Sequence, residues 1–462
     1  MKRTIPLLGF AASVTAFFRL PCSSPVAVER ADPIISPGTV SMHLHTIMGS
    51  DAFNFTMDYQ DTQTEATCST CKVVEDMSAY WVPSLFYHAE NGSFIPVKQT
   101  SGALIYYLQR SDERDPNAEE GLIAFPEGFR MVAGNPYTRN FTDTNEQKAA
   151  SFVCLGVDGP ATYSLPEQNC PNGLRAQLVM PSCWDGVNVD SPNHKSHMAY
   201  PSALDNGYCP ESHPKRFITL FYEVVWSVDD FKDMWYGDGQ PFVFSTGDPT
   251  GYGYHGDFVN GWSTPHLQNA INNCTSPSGV VEECEELTLR SDEEMNACRV
   301  LPRIHENTTG VLSSLPGCNP VQYGPEPATQ HHDCGAQTEI GDPILPFTDV
   351  AEKSGWRYVT CAKDIPGQGR TLSGYDLDTE EMTVEMCVST CQEKGFRYAG
   401  VEYRSQCFCG DDISQDRLLK KGLLGDCSMA CAGDERELCG GAAFVAVYEK
   451  CVDGNDCVNS DG

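Results

Sequence analysis

Seven of the eleven histidines fall in short polar motifs: His43, His45, His194, His197, His213, His255 and His266. His43 and His45 form a His-x-His pair. On a strand that spacing puts both imidazoles on one face, as a transition metal needs. His194 and His197 are spaced i, i+3, and His213 precedes Pro214. His255 lies in a loop with Gly247, Gly251, Gly253 and Gly256, flanked by Asp248 and Asp257. Imidazole beside carboxylate in an oxidising compartment suits zinc or copper. The candidate metal ligands are therefore His43, His45, His197, His213 and His255. The competing reading is that each ring caps a loop and bonds a backbone carbonyl. A copper brace on an N-terminal histidine is not expected, because His43 stands well inside the chain.

Carboxylates give the second constellation. Along Phe217–Ser227 the residues alternate at period two, with Ile218, Leu220, Tyr222, Val224 and Trp226 on one face. Glu223 shares the other face with Phe217, Phe221 and Val225. An acid in such company is poorly solvated, which favours its neutral form and prepares a general acid for glycosidic cleavage. Asp257 and Asp185 are the candidate catalytic partners, with Asp248 as a further one. Trp226 and Trp262, with Trp184, could stack sugar rings. The competing reading pairs Glu223 with an arginine. Cys68-Ser-Thr-Cys71 reads as disulfide cysteines rather than a redox or zinc pair. No serine sits in a nucleophile elbow, and the Gly247–Gly256 loop lacks the lysine of a phosphate cradle.

The elements that must position these groups are mostly strands. Besides 217–227, residues 103–108, 129–133, 176–180 and 241–246 are β-branched and aromatic runs between Gly, Pro and Asn punctuation. Helical signals are few, at 266–273 and 284–301. The pattern predicts a mainly β chain. Its large domain is a β-sandwich or jelly roll over about 31–335.

Acids outnumber bases 63 to 31, for a formal charge of −32. A phosphate backbone is repelled by such a surface, so nucleic acid is excluded as a general partner. Residues 5–18 are apolar after Lys2 and Arg3, the form of a secretory leader. We place the leader over 1–27, with Ala16 and Ala27 as alternative ends. That run is too short to span a membrane, and no second apolar run appears. Five sequons, at Asn54, Asn91, Asn140, Asn273 and Asn307, fit an exported chain. So do 22 cysteines. Eleven of them lie between Cys68 and Cys334, so one is expected to pair with Cys451 or Cys457.

Eight more cysteines crowd into Cys361–Cys439 and imply a disulfide-stapled α+β module over about 356–450. A proline-rich linker at 336–355 precedes it and a tail at 451–462 follows it. Thr383 caps a helix carrying Cys387 and Cys391 on one face. The stretch from Tyr358 to Tyr448 resembles a WSC domain. The match rests on Cys361 with Asp364, Arg370-Thr-Leu, Met382-Thr383, Tyr398-Ala-Gly-Val-Glu-Tyr403, Cys407-Phe-Cys-Gly410 and Glu437-Leu-Cys-Gly-Gly441. That resemblance implies binding of a polysaccharide of the glucan, xylan or chitin type, with Tyr398, Tyr403 and Phe408 as candidate sugar contacts. The large domain resembles the family called domain of unknown function 1996. Its matching blocks are Arg30-Ala-Asp-Pro-Ile, Ser41-Met-His-Leu-His45, Tyr80-Trp-Val-Pro83, Phe125-Pro-Glu-Gly-Phe-Arg-Met131, Pro181-Ser-Cys-Trp-Asp-Gly186, Asn193–Pro201 and Gly247–Trp262. This implies a secreted fungal protein and assigns no chemistry. Two readings follow. One is a carbohydrate-active enzyme held on its substrate by the WSC module; the other is a non-catalytic wall-binding or adhesion protein.

Overall fold

The computed structural model describes residues 16–112, 115, 121–331, 335–365, 369–419, 423–434, 436–452 and 457–460. Among the described residues all the paired strands are antiparallel and the helices are few, as the sequence predicts. The large domain is built on two five-stranded sheets. The first runs β1 (Phe17–Cys22), β7 (Gln99–Leu108), β14 (Thr219–Trp226), β10 (Leu174–Val179), β9 (Ala150–Cys154). The second runs β2 (Ala27–Glu29), β3 (His45–Gly49), β4 (Ala79–Pro83), β16 (Gly256–Val259), β8 (Arg130–Ala133). Two three-stranded sheets flank them. One is β12 (Met198–Ala199), β11 (Cys183–Trp184), β13 (Lys215–Arg216). The other is β15 (Phe242–Phe244), β5 (Leu85–His88), β6 (Phe94–Pro96).

Period-two alternation sets the faces. Leu220, Tyr222, Val224 and Trp226 of β14 point inward, with Ile105 and Tyr107 of β7 and Ala176 and Leu178 of β10. They meet Met48, Tyr80, Phe258 and Met131 of the second sheet. A buried hydrogen-bond chain crosses this core. Trp262 Nε1–H donates to the Tyr107 hydroxyl (2.8 Å), which pairs with the Tyr80 hydroxyl (2.7 Å), which donates to Asp76 (2.5 Å). Each such side chain removed from water contributes roughly 1.5–3 kcal/mol, and the polar atoms are satisfied within the chain.

Two boundaries and one cysteine pairing differ from the sequence reading. A leader ending at Ala27 overlaps β1, whose Phe18, Leu20 and Cys22 are buried and whose six residues pair with β7. Of the two proposed ends, Ala16 leaves that strand intact; residues 1–15 lie outside the described ones. Cys22 also resolves the odd cysteine. It bonds Cys71, while Cys68 bonds Cys298 and Cys451 bonds Cys457. The helix expected over 284–301 shrinks to Asp292–Ala297. There Ser291 and Glu294 form a capping box, and disulfides pin Cys284 and Cys298 on either side.

The C-terminal module is a sheet ordered β17 (Trp356–Lys363), β21 (Phe444–Lys450), β19 (Tyr398–Glu402), β20 (Gln406–Gly410), β18 (Tyr375–Asp378). Its helix, Val384–Glu393, is capped by Thr383, whose side chain accepts the Met386 N–H. Cys387–Cys407 and Cys391–Cys409 staple that helix to β20. The expected linker is split, because Phe347 and Val350 are buried in the module's core. The tail is also tied down, with Asn459 accepting the Tyr358 N–H (2.8 Å). The module docks on the large domain. Leu419 and Leu423 join a cluster with Ile47, Trp81 and Val132, and the Gly425 N–H donates to the Ala297 carbonyl (3.1 Å). Lys363 pairs with Glu293 at 2.8 Å. Among the described residues no helix is long and apolar enough to cross a membrane.

Candidate functional site

The second sheet has an outer face, and the histidines meet there. His45 of β3 pairs with Pro83 of β4, and Asp257 of β16 pairs with Trp81. Carried on by two residues, that register brings His255 opposite Pro83 from the other side. His43 enters from the segment before β3, whose backbone is clamped. Arg30 donates to the Ser41 carbonyl (2.9 Å) and Asn319 to the Met42 carbonyl (2.7 Å). Arg30 is itself fixed by a two-pronged pair with Glu306, at 2.7 and 2.8 Å.

The ring centroids of His43 lie 4.3 Å from His45 and 5.0 Å from His255, and those of His45 and His255 are 5.9 Å apart. His43 Nε2 and His255 Nε2 are 3.0 Å apart. One nitrogen from each ring lies within 4.8 Å of the others. His45 Nδ1 is 3.0 Å from the Ala31 carbonyl and His255 Nδ1 is 3.0 Å from the Gly253 carbonyl. A carbonyl only accepts, so each Nδ1 carries the proton and each Nε2 offers a lone pair. Burial and the two neighbouring imidazoles hold His43 well below the usual histidine range. Burial likewise lowers His45 to about 3 and His255 to about 4. The three rings are neutral at physiological pH.

Close packing fixes His255. Gly134 has φ +82°, and a Cβ there would stand 2.5 Å from the Tyr254 carbonyl and 2.9 Å from His255 Cβ. Gly253 donates its N–H to Asp248 (2.7 Å), which is sealed beside Arg139. Asp248 therefore holds the turn whose carbonyl orients His255. Two buried acids lie nearby in the chain. Asp32 accepts the Ile34 and Ile35 N–H groups (3.0 Å each) and is pushed up to about 6 by burial. Asp257 is raised well above the usual range by burial and by Asp32. The sequence reading passed over Asp32, although it stands in the Arg30-Ala-Asp-Pro block.

The other expected site residues disperse. His197 spends both nitrogens on structure, at 2.9 Å from Ser191 Oγ and 2.9 Å from the Arg130 carbonyl. His213 lies against Ser212 Oγ and the Ser196 carbonyl. Glu223 points from the outer face of the first sheet, away from Asp257, so roughly 10 Å of sandwich separates their backbones. It accepts from Tyr106 (2.7 Å) and Gln177 (2.9 Å) and pairs with Arg175 (3.3 Å). The strand acid is neutralised by an arginine. Asp185 closes a turn by accepting the Val187 and Asn188 N–H groups, which, with the Asn188 side chain, outweigh desolvation and hold it below the usual range. Trp226 and Trp262 are core, 2% and 0% exposed, and cannot stack a sugar.

In the C-terminal module Phe408 is buried, with the Arg370 guanidinium 4.4 Å from its ring centre. Tyr398 is half-buried beside Arg397. Tyr403 stands 56% exposed at the turn joining β19 to β20, where it and Arg404 have φ of +46° and +73°. The Arg404 N–H donates to the Cys439 carbonyl (3.1 Å), so the stapled loop maintains this backbone.

Comparison with known proteins agrees with this architecture. The sequence profile of the domain of unknown function DUF1996 matches residues 32–262, and that of the WSC domain matches 358–441. A WSC domain-containing protein of Arthroderma benhamiae is 34% identical over 118 residues, covering 24% of this chain and 12% of the relative. Human Kremen protein 2 is 37% identical over 179 residues, covering 32% of this chain and 37% of the relative. The chain spans no more than half the length of the curated relatives it matches. A WSC domain and ten disulfides among the described residues accord with an extracellular or cell-wall location. With its profile matched across half the chain and a WSC domain following it, the protein belongs to the DUF1996 family.

Proposed function

We propose that the protein is exported and works on wall polysaccharide. The WSC module grips the glycan, with Tyr403 as its open aromatic contact, and the imidazole cluster of the large domain is the centre it serves. One observation carries this reading. The module is packed, not loosely tethered, on the large domain: Leu423 joins the buried cluster that also holds Ile47 and Trp81 of the histidine-bearing sheet, and Gly425 donates to the Ala297 carbonyl. A glycan held by the module is thereby kept at a fixed orientation to that face, which raises its local concentration there. The two-carboxylate glycosidase reading has no such support, since Glu223, Asp257 and Asp185 stand at three separate places.

The test is co-sedimentation of the full chain with insoluble glucan, xylan and chitin. Retention on at least one polymer, lost on Tyr403→Ala at unchanged thermal midpoint, is the expected result. Failure to sediment with any of the three overturns the reading.

A further inference from the structure

We propose that His43, His45 and His255 bind one divalent transition-metal ion, zinc or copper, through their three Nε2 atoms. The proposal rests on the geometry of the large domain and does not depend on the glycan reading.

Four observations converge. First, the donors are all imidazole nitrogen, the ligand type that suits zinc and copper rather than calcium or magnesium. Second, the Nδ1 positions of His45 and His255 are committed to the carbonyls of Ala31 and Gly253. Such outer bonds fix the tautomer and aim the ring in metal-binding histidines. Third, His45 Nε2 is buried and has no hydrogen-bond partner. A polar atom so placed is costly unless something answers it. Hydrogen bonding within the trio does not answer it, because the mutual contact is between His43 and His255. A cation does, with His43 moving its Nε2 proton to Nδ1 to present the third lone pair. Fourth, the rings are held before any ligand arrives: Arg30 and Asn319 clamp the segment of His43, and Asp248 and Gly134 fix that of His255.

Three protein ligands leave one position of a tetrahedral ion for water or substrate, the pattern of catalytic rather than structural zinc. His43 is half-buried whereas His45 and His255 are buried, so the open position lies on the His43 side.

The experiment uses the full chain from a secretory host, purified without a histidine tag and stripped with a chelator. Zinc and copper(II) are titrated separately by calorimetry, with metal content checked by mass spectrometry. The expected result is one ion per chain and a raised thermal midpoint. His255→Ala should weaken binding by roughly 100-fold or more, beyond what loss of an outer bond costs. His197→Ala and His213→Ala should bind as wild type does. Should His255→Ala fold poorly, His43→Gln at the least buried of the three rings gives the same readout. The arm that binds with one-to-one stoichiometry identifies the ion. Absence of stoichiometric binding of either ion to wild type, or full binding by both cluster variants, overturns the proposal, whatever the sedimentation result.

Discussion

Leu20 tests where a cleaved leader could end. It is 0% exposed in the middle of β1, paired with Ile105 of β7 and facing the core between the sheets. A leader ending at Ala27 removes it; one ending at Ala16 keeps it. Leu20→Ala deletes a buried side chain from a close-packed site, which costs about 2–5 kcal/mol through lost transfer energy and the cavity left behind. For a domain of this size each kcal/mol moves the midpoint by roughly 2–4 °C. The expected drop is therefore roughly 5–15 °C. The assay is a thermal melt of wild type and variant, read beside intact mass to locate the N-terminus. An unchanged midpoint, or a chain starting at Val28, refutes the placement of β1 in the mature fold. The disulfide Cys22–Cys71 gives the same experiment a second readout, because a chain without Cys22 carries a free thiol at Cys71.

Three further outcomes are expected. Glu223→Gln exchanges charge-assisted bonds to Tyr106 and Arg175 for neutral ones, with Arg175 partly exposed, so unfolding free energy should fall by about 1 kcal/mol while sedimentation with polysaccharide is unchanged; loss of sedimentation at full stability contradicts this. Burial, with Asp364 beside it, pushes Glu402 up to about 8 from an ordinary value of 4.5. The folded form holds this proton more tightly, so the contribution is complete below about pH 4.5 and is lost as pH climbs through about 8. Denaturant melts should show Glu402→Gln declining less than wild type between pH 5 and 8.5, and parallel declines count against the assignment. Leu423→Asp places a charge in the buried contact between the domains, and should release the module and expose the 336–355 segment to protease; an unchanged digestion pattern means the contact is not what holds the module.

The architecture was legible because its signals are local. Alternation along 217–227 announced which side of β14 faces the core, and Thr383 with paired cysteines announced the stapled helix. The His-x-His pair was legible for the same reason. What sequence spacing could not supply was the third dimension. Glu223 sat among apolar neighbours in sequence, yet Arg175 comes from the adjacent strand β10 at 3.3 Å. Trp226 and Trp262 looked like sugar platforms because aromatics serve both surfaces and cores; strand register sends Trp226 inward, while Trp262, beyond the end of β16, is held inside by its bond to the Tyr107 hydroxyl. Asp32 and Asp248 went unassigned or misassigned because their work is to hold backbone N–H groups, which no motif displays.

A sandwich of this kind restricts where a polar centre can be built. Between the sheets the space is filled by Tyr80, Tyr107, Tyr222 and Trp262, each 0% exposed, and their hydroxyls and indole are spent on one another, on Asp76 and on the Asp257 carbonyl. Opening a ligand site there would break that chain and leave buried donors unanswered. The outer face of the second sheet has no such constraint. Loops carrying Ala31, Ile34, Phe53 and Ile304 cover its rows at Ile47 and Trp81. The row at Pro83 instead receives imidazoles from both sides. The strand register that closes the core on one side thus fixes, on the other, which three side chains can meet. Moving β3 by one residue would send His45 into the core and Met48 out, and the centre would be lost together with the packing.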